Sequence, residues 1–235
     1  FSPPGVGKSF LVLDLTASVA MGRKWRGRRV RRTKVVYVIA EGGGGFRKRV
    51  RAWVNHSDID VDEFDQWFGL IDEAPNLLGD DYAELAERIA EFGDVGIVVF
   101  DTTAQVTPGA NENSAEDMGS MLAHCNAIHQ ATGAQVLLVH HTGKDASRGL
   151  RGWSGFLAAV DAALELSLAP NGERVMSIAK MKDGDADAQI AFRLEQVVVG
   201  HDEDGDPVTS CVVVDADMPD EAPTFRPAGK WQRAV

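Results

Sequence analysis

Residues 1–15 read FSPPGVGKSFLVLDL, and this stretch decides how the rest of the chain is interpreted. A Pro-Gly turn and a Gly-Lys-Ser triplet precede an apolar run with helical spacing. A glycine-rich turn that opens a helix presents successive backbone N–H groups, which can wrap a polyphosphate. The alternative is a glycine-rich turn before an ordinary helix, because the strict motif has Gly where this sequence has Ser2.

In the phosphate-loop interpretation, Lys8 reaches the terminal phosphates and the Ser9 hydroxyl binds Mg²⁺. The stretch therefore predicts a site for a nucleoside triphosphate at the start of a helix. The predicted loop comprises Pro4, Gly5, Val6, Gly7, Lys8, Ser9 and Phe10.

Composition limits the class of protein. A chain of 235 residues that is 44% hydrophobic can bury a substantial core, which excludes a disordered or fibrous protein. Cys125 and Cys211 lie far apart without a CxxC motif, so neither a disulfide framework nor a zinc site is predicted, and a reducing cytoplasm is expected. No apolar run reaches the roughly 20 residues that span a bilayer, so no membrane segment is expected.

Helical and strand-like patterns alternate up to residue 140, which predicts a parallel sheet covered by helices. Strand-like segments then follow one another, joined by Asn-Gly and Asp-Gly pairs that are typical of hairpins. The predicted helices are 10–21, 46–56, 80–92 and 114–130. The predicted strands are 34–40, 67–71, 95–101, 135–140, 163–168, 175–181, 190–199 and 208–214.

The fold class expected from this pattern is α/β, a mainly parallel sheet flanked by helices with antiparallel strands added at one edge. Residues 1–200 are expected to form the main domain, and 201–235 a C-terminal strand and acidic tail packed on the same domain. A strand should feed the phosphate loop, and it is expected upstream of Phe1.

Polar residues follow three of the predicted parallel strands: Glu41, Asp101 and His140. Ligands gather at the carboxyl ends of such strands, where Asp101 could hold Mg²⁺, Glu41 could polarise a water and His140 could sense the γ-phosphate. Glu41 is equally consistent with a solvated turn residue. His140 and His141 could also be one buried and one exposed histidine, or a metal pair, although adjacent strand residues point to opposite faces.

A family resemblance brings these features together. The runs PPGVGKSFLVLDLTASVAMGRKWRG, VVYVIAEGG, VVFDTTAQVTPGANENSAEDMG, VLLVHHTGK and RGWSG resemble the RecA-like ATPases of the RepA and DnaB hexameric helicase type, particularly bacteriophage versions. The resemblance covers roughly residues 2–195. It implies a RecA-like P-loop fold with ATP and Mg²⁺ as cofactors. It also implies a homo-oligomer, expected to be a hexameric ring, with ATP bound between subunits. The expected location is the cytoplasm, which is that of the host cell if the protein is phage-encoded.

Carried over by position, Lys8 and Ser9 bind phosphate and Mg²⁺, Glu41 is the catalytic carboxylate, Asp101 is the Walker B residue and His140 is the γ-phosphate sensor. The run SIAKMKDGD resembles the strand with which this family touches the neighbouring subunit's ATP, and it assigns a catalytic role in trans to Lys180 and Lys182. Two solvated lysines on an edge strand are the alternative.

The resemblance also implies loops that hold DNA, here 107–113 and 142–153. Lys144, Arg148 and Arg151 suit contact with phosphates, and Trp153 suits base stacking. A plain loop, or Arg151 as a contact to ATP between subunits, is the competing interpretation. The basic segment 23–34, with Trp25, is either a nucleic-acid patch or an assembly-facing loop.

These features predict a Mg²⁺-dependent ATPase that oligomerises and acts on single-stranded or branched DNA, as a phage replication or recombination helicase or motor. One alternative is a nuclease on branched DNA, which needs a carboxylate cluster for its metal. The acidic runs DGDADA and HDEDGD are interpreted as hairpin turns, because Ala188 and Leu194 break the calcium-loop pattern. Another alternative is an ATP-binding assembly or loader protein with little turnover.

Overall fold

The computed structural model describes residues 1–40, 43–142, 152–184 and 187–220. Helices and strands alternate as far as β4, and after one short helix four strands follow in succession. The helices are α1 (Lys8–Ala20), α2 (Gly43–His56), α3 (Val61–Trp67), α4 (Asp81–Phe92), α5 (Ala115–Thr132) and α6 (Gly155–Ala159). The strands are β1 (Lys34–Ile39), β2 (Phe68–Ile71), β3 (Val95–Asp101), β4 (Gln135–Val139), β5 (Ala162–Leu168), β6 (Arg174–Met181), β7 (Gln189–His201) and β8 (Pro207–Asp215).

The first four strands form a parallel sheet in the order β2-β1-β3-β4. Its central strands β1 and β3 are rich in valine and isoleucine and largely buried, as expected where helices cover both faces. One apolar cluster packs α4 and α5 against the sheet, and a second packs α1, α2 and α3. The predicted parallel sheet flanked by helices is confirmed.

The last four strands form an antiparallel sheet in the order β5-β6-β7-β8. The α/β fold class is confirmed, but this sheet is not added directly to the edge of the parallel one. The reason is that the outer edge of β5 pairs with Phe1 and not with β4. The Phe1 amine donates to the Leu164 carbonyl at 2.6 Å, and the Leu166 N–H donates to the Phe1 carbonyl at 2.9 Å.

A buried polar contact ties α1 to the elements around it. The Asp14 carboxylate on α1 accepts hydrogen bonds from Trp25 Nε1 at 2.9 Å, Trp53 Nε1 at 3.1 Å and the Arg26 guanidinium at 3.2 Å. Arg26 also pairs with Asp215 at the end of β8. Asp14 therefore joins the basic segment, α2 and the antiparallel sheet to the helix that follows the glycine-rich loop.

Two short helices, α3 and α6, were not predicted. The Asp60 side chain caps α3 by accepting from the Glu63 N–H at 3.0 Å, which is a local signal, but the helix is short. α6 is a single turn and shows no periodicity. Among the described helices, none combines the length and the apolar character needed to cross a bilayer.

The acidic run after β7 forms the expected hairpin turn. The Asp202 carboxylate accepts hydrogen bonds from the backbone N–H groups of Asp204 and Asp206, at 3.1 and 2.9 Å. Beyond this turn, β8 pairs along β7, and its residues Val212 and Val213 are buried. Residues 207–215 are thus part of the packed structure.

Candidate functional site

The glycine-rich loop has the shape that the sequence predicts. Gly7 is the N-cap residue of α1 and has φ +105°, a left-handed conformation that favours glycine. A Cβ on Gly7 would also come within 3.3 Å of Arg174 Nε. Gly7 therefore lets the chain turn sharply into α1 without backbone strain.

The Lys8 side chain lies folded back over this loop and is only 7% exposed. Its Nζ donates to the carbonyl oxygens of Ser2 and Pro3 at 3.0 Å each, and contacts the Ser2 hydroxyl at 3.2 Å. It also lies 3.0 Å from Nδ1 of His141. Because the ammonium can only donate, this Nδ1 accepts, and the imidazole proton belongs on Nε2.

The two histidines after β4 face different surroundings. His140 is buried, and its ring stacks on Phe156 with 5.3 Å between centroids, whereas His141 contacts Lys8. The γ-phosphate sensor role of His140 stays a prediction. The sequence assigns no nucleotide role to His141, which the structure places against Lys8, and the alternation of side chains along a strand is the signal that separates the pair.

Asp101 ends β3 and is 5% exposed. The Tyr37 hydroxyl on the neighbouring strand donates to its Oδ2 at 2.6 Å. Burial, followed by the charge of Asp101 and this hydrogen bond, raises the pKa of Tyr37 well above its usual value. The tyrosine therefore keeps its proton and orients the carboxylate. Tyr37 was not predicted because its sequence context is that of an ordinary core strand.

The oxygen donors at the start of α1 and at the end of β3 fit Mg²⁺ bound together with phosphates. Ser9 lies in the first turn of α1, and Oδ1 of Asp101 carries no hydrogen bond to any described residue. Hydroxyl and carboxylate oxygens suit Mg²⁺, which typically uses one or two carboxylates plus substrate phosphates. Within the described ranges no group of three or more His, Cys, Asp or Glu residues could hold a metal ion by itself.

Arg174 brings the antiparallel sheet to the loop. It begins β6, and its Nε donates to the Val6 carbonyl at 2.9 Å while its guanidinium also reaches the Gly172 carbonyl at 3.3 Å. A cation is thereby placed directly behind the turn that Gly7 makes. The sequence offered no signal for this contact, because it joins residues that are distant along the chain.

The two predicted trans-acting lysines are engaged within their own subunit. Lys180 Nζ donates to the carbonyls of Leu157, Ala158 and Val160 at 3.0, 2.8 and 2.6 Å, and so caps the C-terminal end of α6. Lys182 Nζ lies 3.2 Å from an exposed Asp161 carboxylate. Their role at a neighbour's ATP stays a prediction, and it requires Lys180 to leave these carbonyls.

Four predicted site residues, Glu41, Lys144, Arg148 and Arg151, lie outside the described residues. The two predicted DNA loops, 107–113 and 142–153, are in contact where both are described. The N–H of Trp153 in the second loop donates to the carbonyl of Glu112 in the first at 2.7 Å. Trp153 packs on the core beside α5, which leaves it less suited to stack on a base than its sequence suggests.

Several residues of the basic segment 23–34 make contacts within the fold. Trp25 is buried against Asp14, and Arg32 pairs with Glu63 at 2.8 Å while its guanidinium lies 4.0 Å from the Trp67 ring centroid. Three further arginines are exposed and form no ion pair with a described residue. These are Arg28, Arg29 and Arg31.

Comparisons with known proteins agree with this geometry. The sequence pattern of the AAA domain matches residues 1–147. No curated protein matches the sequence. The crystal structure of the RadB recombinase is similar over 83% of this chain and 85% of that chain, with a TM-score of 0.61 and 17% sequence identity. This likeness shows a RecA-like fold. The RepA or DnaB helicase type and a phage origin stay predictions.

Proposed function

Because the chain belongs to the AAA domain family, we propose that it is a Mg²⁺-dependent ATPase that assembles with copies of itself and acts on DNA. The observation that carries the proposal is the Lys8 ammonium, held by Ser2 and Pro3 over a glycine-rich loop at the start of α1. Asp101 ends β3 and His141 follows β4, so the two residues lie at the same edge of the parallel sheet. Together they form the binding edge for a nucleoside triphosphate.

Each residue has a defined task in this proposal. When the nucleotide binds, the Lys8 ammonium leaves the Ser2 and Pro3 carbonyls and donates to phosphate oxygens. The exchange is favourable because hydrogen bonds between charged partners are stronger than those to neutral carbonyls. Ser9 and the Tyr37-oriented Asp101 hold Mg²⁺, which neutralises charge on the phosphates. His141 accepts from Lys8 and keeps its ammonium at the mouth of the loop.

Further roles are proposed from the family resemblance. Glu41 orients the attacking water and His140 responds to the γ-phosphate. A neighbouring subunit in a ring, expected to be a hexamer, supplies Lys180 or Lys182 to stabilise charge that develops during hydrolysis. Assembly would then control turnover.

DNA is the proposed polymer. The likeness to RadB, which is named a recombinase, supports this choice. Lys144, Arg148 and Arg151 are proposed to contact the phosphates of single-stranded or branched DNA. A phage-type replication or recombination helicase or motor is the finer proposal.

A second candidate is an ATP-binding assembly or loader protein with little turnover. It is favoured by the engagement of Lys180 with α6 and of Lys182 with Asp161, since both ammonium groups bind groups of their own chain. The nuclease alternative has less support. Asp202 is occupied in a hairpin turn, and the described residues hold no carboxylate cluster of metal-binding size.

One experiment separates these functions. ATP turnover is measured with Mg²⁺ and with no DNA, single-stranded DNA or forked DNA, and the DNA products are resolved on a gel. A motor gives DNA-stimulated hydrolysis and unwound strands. A loader gives nucleotide-dependent rings without stimulation, and a nuclease cuts the fork without ATP. Hydrolysis that continues at the parent rate in Lys8→Ala would contradict the proposed ATP site.

A further inference from the structure

The two faces of the parallel sheet are covered by different sets of helices. Val36 and Val38 of β1 pack in the apolar cluster of α4 and α5. Val35 and Tyr37 of the same strand pack in the cluster of α1, α2 and α3. Because side chains alternate between the faces of a strand, α4 and α1 lie on opposite sides of the sheet. The charged residues exposed near these two helices therefore lie on opposite sides of the subunit.

An acidic stripe runs along the exposed side of α4. Glu84, Glu87 and Glu91 are exposed and lie three and four residues apart, which places them on one side of the helix. None of the three forms an ion pair with a described residue, and Arg88, the one cation of α4, pairs with Glu73 at 3.2 Å. The neighbouring helix α5 contains no Lys or Arg. Like charges at this spacing destabilise a helix, so an external cation would stabilise α4.

A basic patch lies on the side of α1. Trp25 and Val30 anchor the segment 23–34, since both pack in one apolar cluster with residues of α1. This segment contains no Asp or Glu. On the same side α3 is acidic, and its Glu63 already pairs with Arg32. The basic patch consists of the exposed residues Arg28, Arg29 and Arg31.

We propose that the acidic stripe of one copy of this chain binds the basic patch of the next copy, so that copies associate head to tail. The inference rests on the assembly in the proposed function and names the surfaces that direct it. Because stripe and patch lie on opposite sides of one subunit, each copy can use both at once. A contact between unlike surfaces of this kind generates a ring or a filament. Complementary charge fixes which surfaces meet.

The direction of this contact agrees with the role proposed for Lys180 at a neighbour's ATP. Lys180 caps α6, and Phe156 of α6 packs in the same cluster as α4 and α5. The α6 helix is therefore on the side of the acidic stripe. Lys8 begins α1, to which the basic patch is anchored. A head-to-tail contact turns the Lys180 side of one copy toward the Lys8 side of the next, as a cation supplied in trans requires.

A nucleic acid is the rival occupant of the basic patch, because phosphates also bind arginine. A second copy is favoured because it neutralises the acidic stripe as well, which a polyanion cannot do. The chain also has a net charge of -11, so copies repel one another unless unlike charges are brought together. Stripe and patch supply such a pair of surfaces.

The test compares the parent chain with reversals of charge at one surface or at both. The stripe is reversed in Glu84→Lys/Glu87→Lys, the patch is reversed in Arg29→Glu/Arg31→Glu, and a fourfold variant carries all four substitutions. The matched control is Glu203→Lys/Asp204→Lys, in the exposed turn after β7, which changes the net charge as much as the reversed stripe does. Thermal melts check that every variant is folded.

Sedimentation gives the mass of the assembly at about 50 mM and about 500 mM salt, without nucleotide and with Mg²⁺ and a non-hydrolysable ATP analogue. The parent should assemble in low salt and dissociate in high salt, which screens exposed charges. Reversing one surface should raise the apparent Kd for assembly by about 100-fold or more, because like charges then meet. The fourfold variant should assemble again, because unlike charges meet once more. The control should behave as the parent does.

A neutral variant keeps the test valid if a reversal lowers Tm. Glu84→Gln/Glu87→Gln removes the charge of two stripe residues and keeps their size, and it should weaken assembly by about tenfold. Assembly at the parent level in this variant would overturn the proposal without any question of folding.

Three further results would overturn the proposal. One is a folded chain with one reversed surface that assembles as the parent does. Another is a folded fourfold variant that stays monomeric. The last is a reversed patch that loses binding to single-stranded DNA while its assembly is unchanged, since the patch would then be a nucleic-acid contact. A parent chain that is monomeric in every condition would contradict the proposed assembly itself, whereas a parent that assembles without hydrolysing ATP would contradict only the proposed activity.

Discussion

The carboxyl edge of the parallel sheet and the antiparallel sheet differ in how their charged residues are used. At the parallel edge, Lys8 begins α1 directly after the glycine-rich loop and Asp101 ends β3. In the antiparallel sheet, Lys180 turns to α6, and the cation that meets the loop is Arg174. The order of parallel strands is enough to bring together the residues at their carboxyl ends. The contacts of a residue on a hairpin depend instead on the strand register and on the elements that pack against it.

The largest expected effect is at the parallel edge. Lys8→Ala should lower ATP turnover by about 100- to 1,000-fold, as expected for loss of a charge that stabilises the reacting phosphates. Lys48→Ala, which removes an exposed lysine on α2, should hydrolyse ATP at the parent rate. Steady-state turnover of the two variants gives the measurement. If the two variants hydrolysed ATP at equal rates, the charge of Lys8 at the parallel edge would not be needed for turnover.

The next effect concerns the contact that joins the two regions. Asp14→Ala should lower the free energy of unfolding by about 3 kcal/mol or more, because it leaves the buried Trp25 and Trp53 donors without their acceptor and removes one of the acceptors of the half-buried Arg26. Tm should fall by at least about 6 °C. The exposed Asp65→Ala is the matched control. A Tm equal to the parent's would show that Asp14 does not hold the regions together.

Arg174 tests whether the antiparallel sheet contributes to the ATP site. Arg174→Ala should raise KM for ATP by about tenfold or more, the equivalent of one hydrogen bond to a charged group, with a smaller change in kcat. Arg193→Ala, on β7, removes an arginine that pairs with Glu195 and should leave KM unchanged. If both variants keep the parent KM, the contact with Val6 is structural only.

Lys180 and Lys182 form a natural pair of variants. Lys180→Ala should lower Tm by about 2–6 °C, since three carbonyls of α6 lose their donor. Lys182→Ala should leave Tm within about 1 °C, because its ion pair with Asp161 is exposed. Thermal melts measure both. Assembled double-variant rings that bind ATP and hydrolyse it at the parent rate would contradict the role in trans.

The smallest effect concerns the two cysteines. Burial raises the pKa of the Cys125 thiol to about 12, so almost no thiolate exists at pH 8. Cys211 lies on β8 and is half-buried. Iodoacetamide at pH 8 should modify Cys211 first, and Cys125 only after unfolding, as read by peptide mass. Early modification of Cys125 would show that the buried face of α5 opens readily.

Local patterns were sufficient to predict most of the fold. β3 was predicted at residues 95–101, where a run of β-branched residues ends in Asp101, and the structure has these bounds. The antiparallel strands were located because Asn171 and Asp204 begin hairpin turns that are encoded locally. The short helices α3 and α6 were missed because they have no periodicity to detect.

The candidate site was predicted only in part. Lys8 and Asp101 belong to motifs and could be found in the sequence. Tyr37 and Arg174 could not, because their roles arise from contacts between distant segments: a hydroxyl that reaches across two strands, and an arginine that reaches over a loop. Alternation along the strand separates His141 from His140, but the contact of His141 with Lys8 is tertiary. Tertiary contacts of this kind leave no mark in local spacing.

The central claim is that Lys8 and Asp101 form a Mg²⁺-dependent ATP site whose turnover serves action on DNA. Its most direct test is the steady-state rate of ATP hydrolysis by the parent chain, with and without single-stranded DNA, in Mg²⁺ and in excess EDTA. The account predicts hydrolysis in Mg²⁺ that rises with DNA and disappears in EDTA. Hydrolysis that is absent in Mg²⁺ even with DNA, or that persists in EDTA, would contradict it.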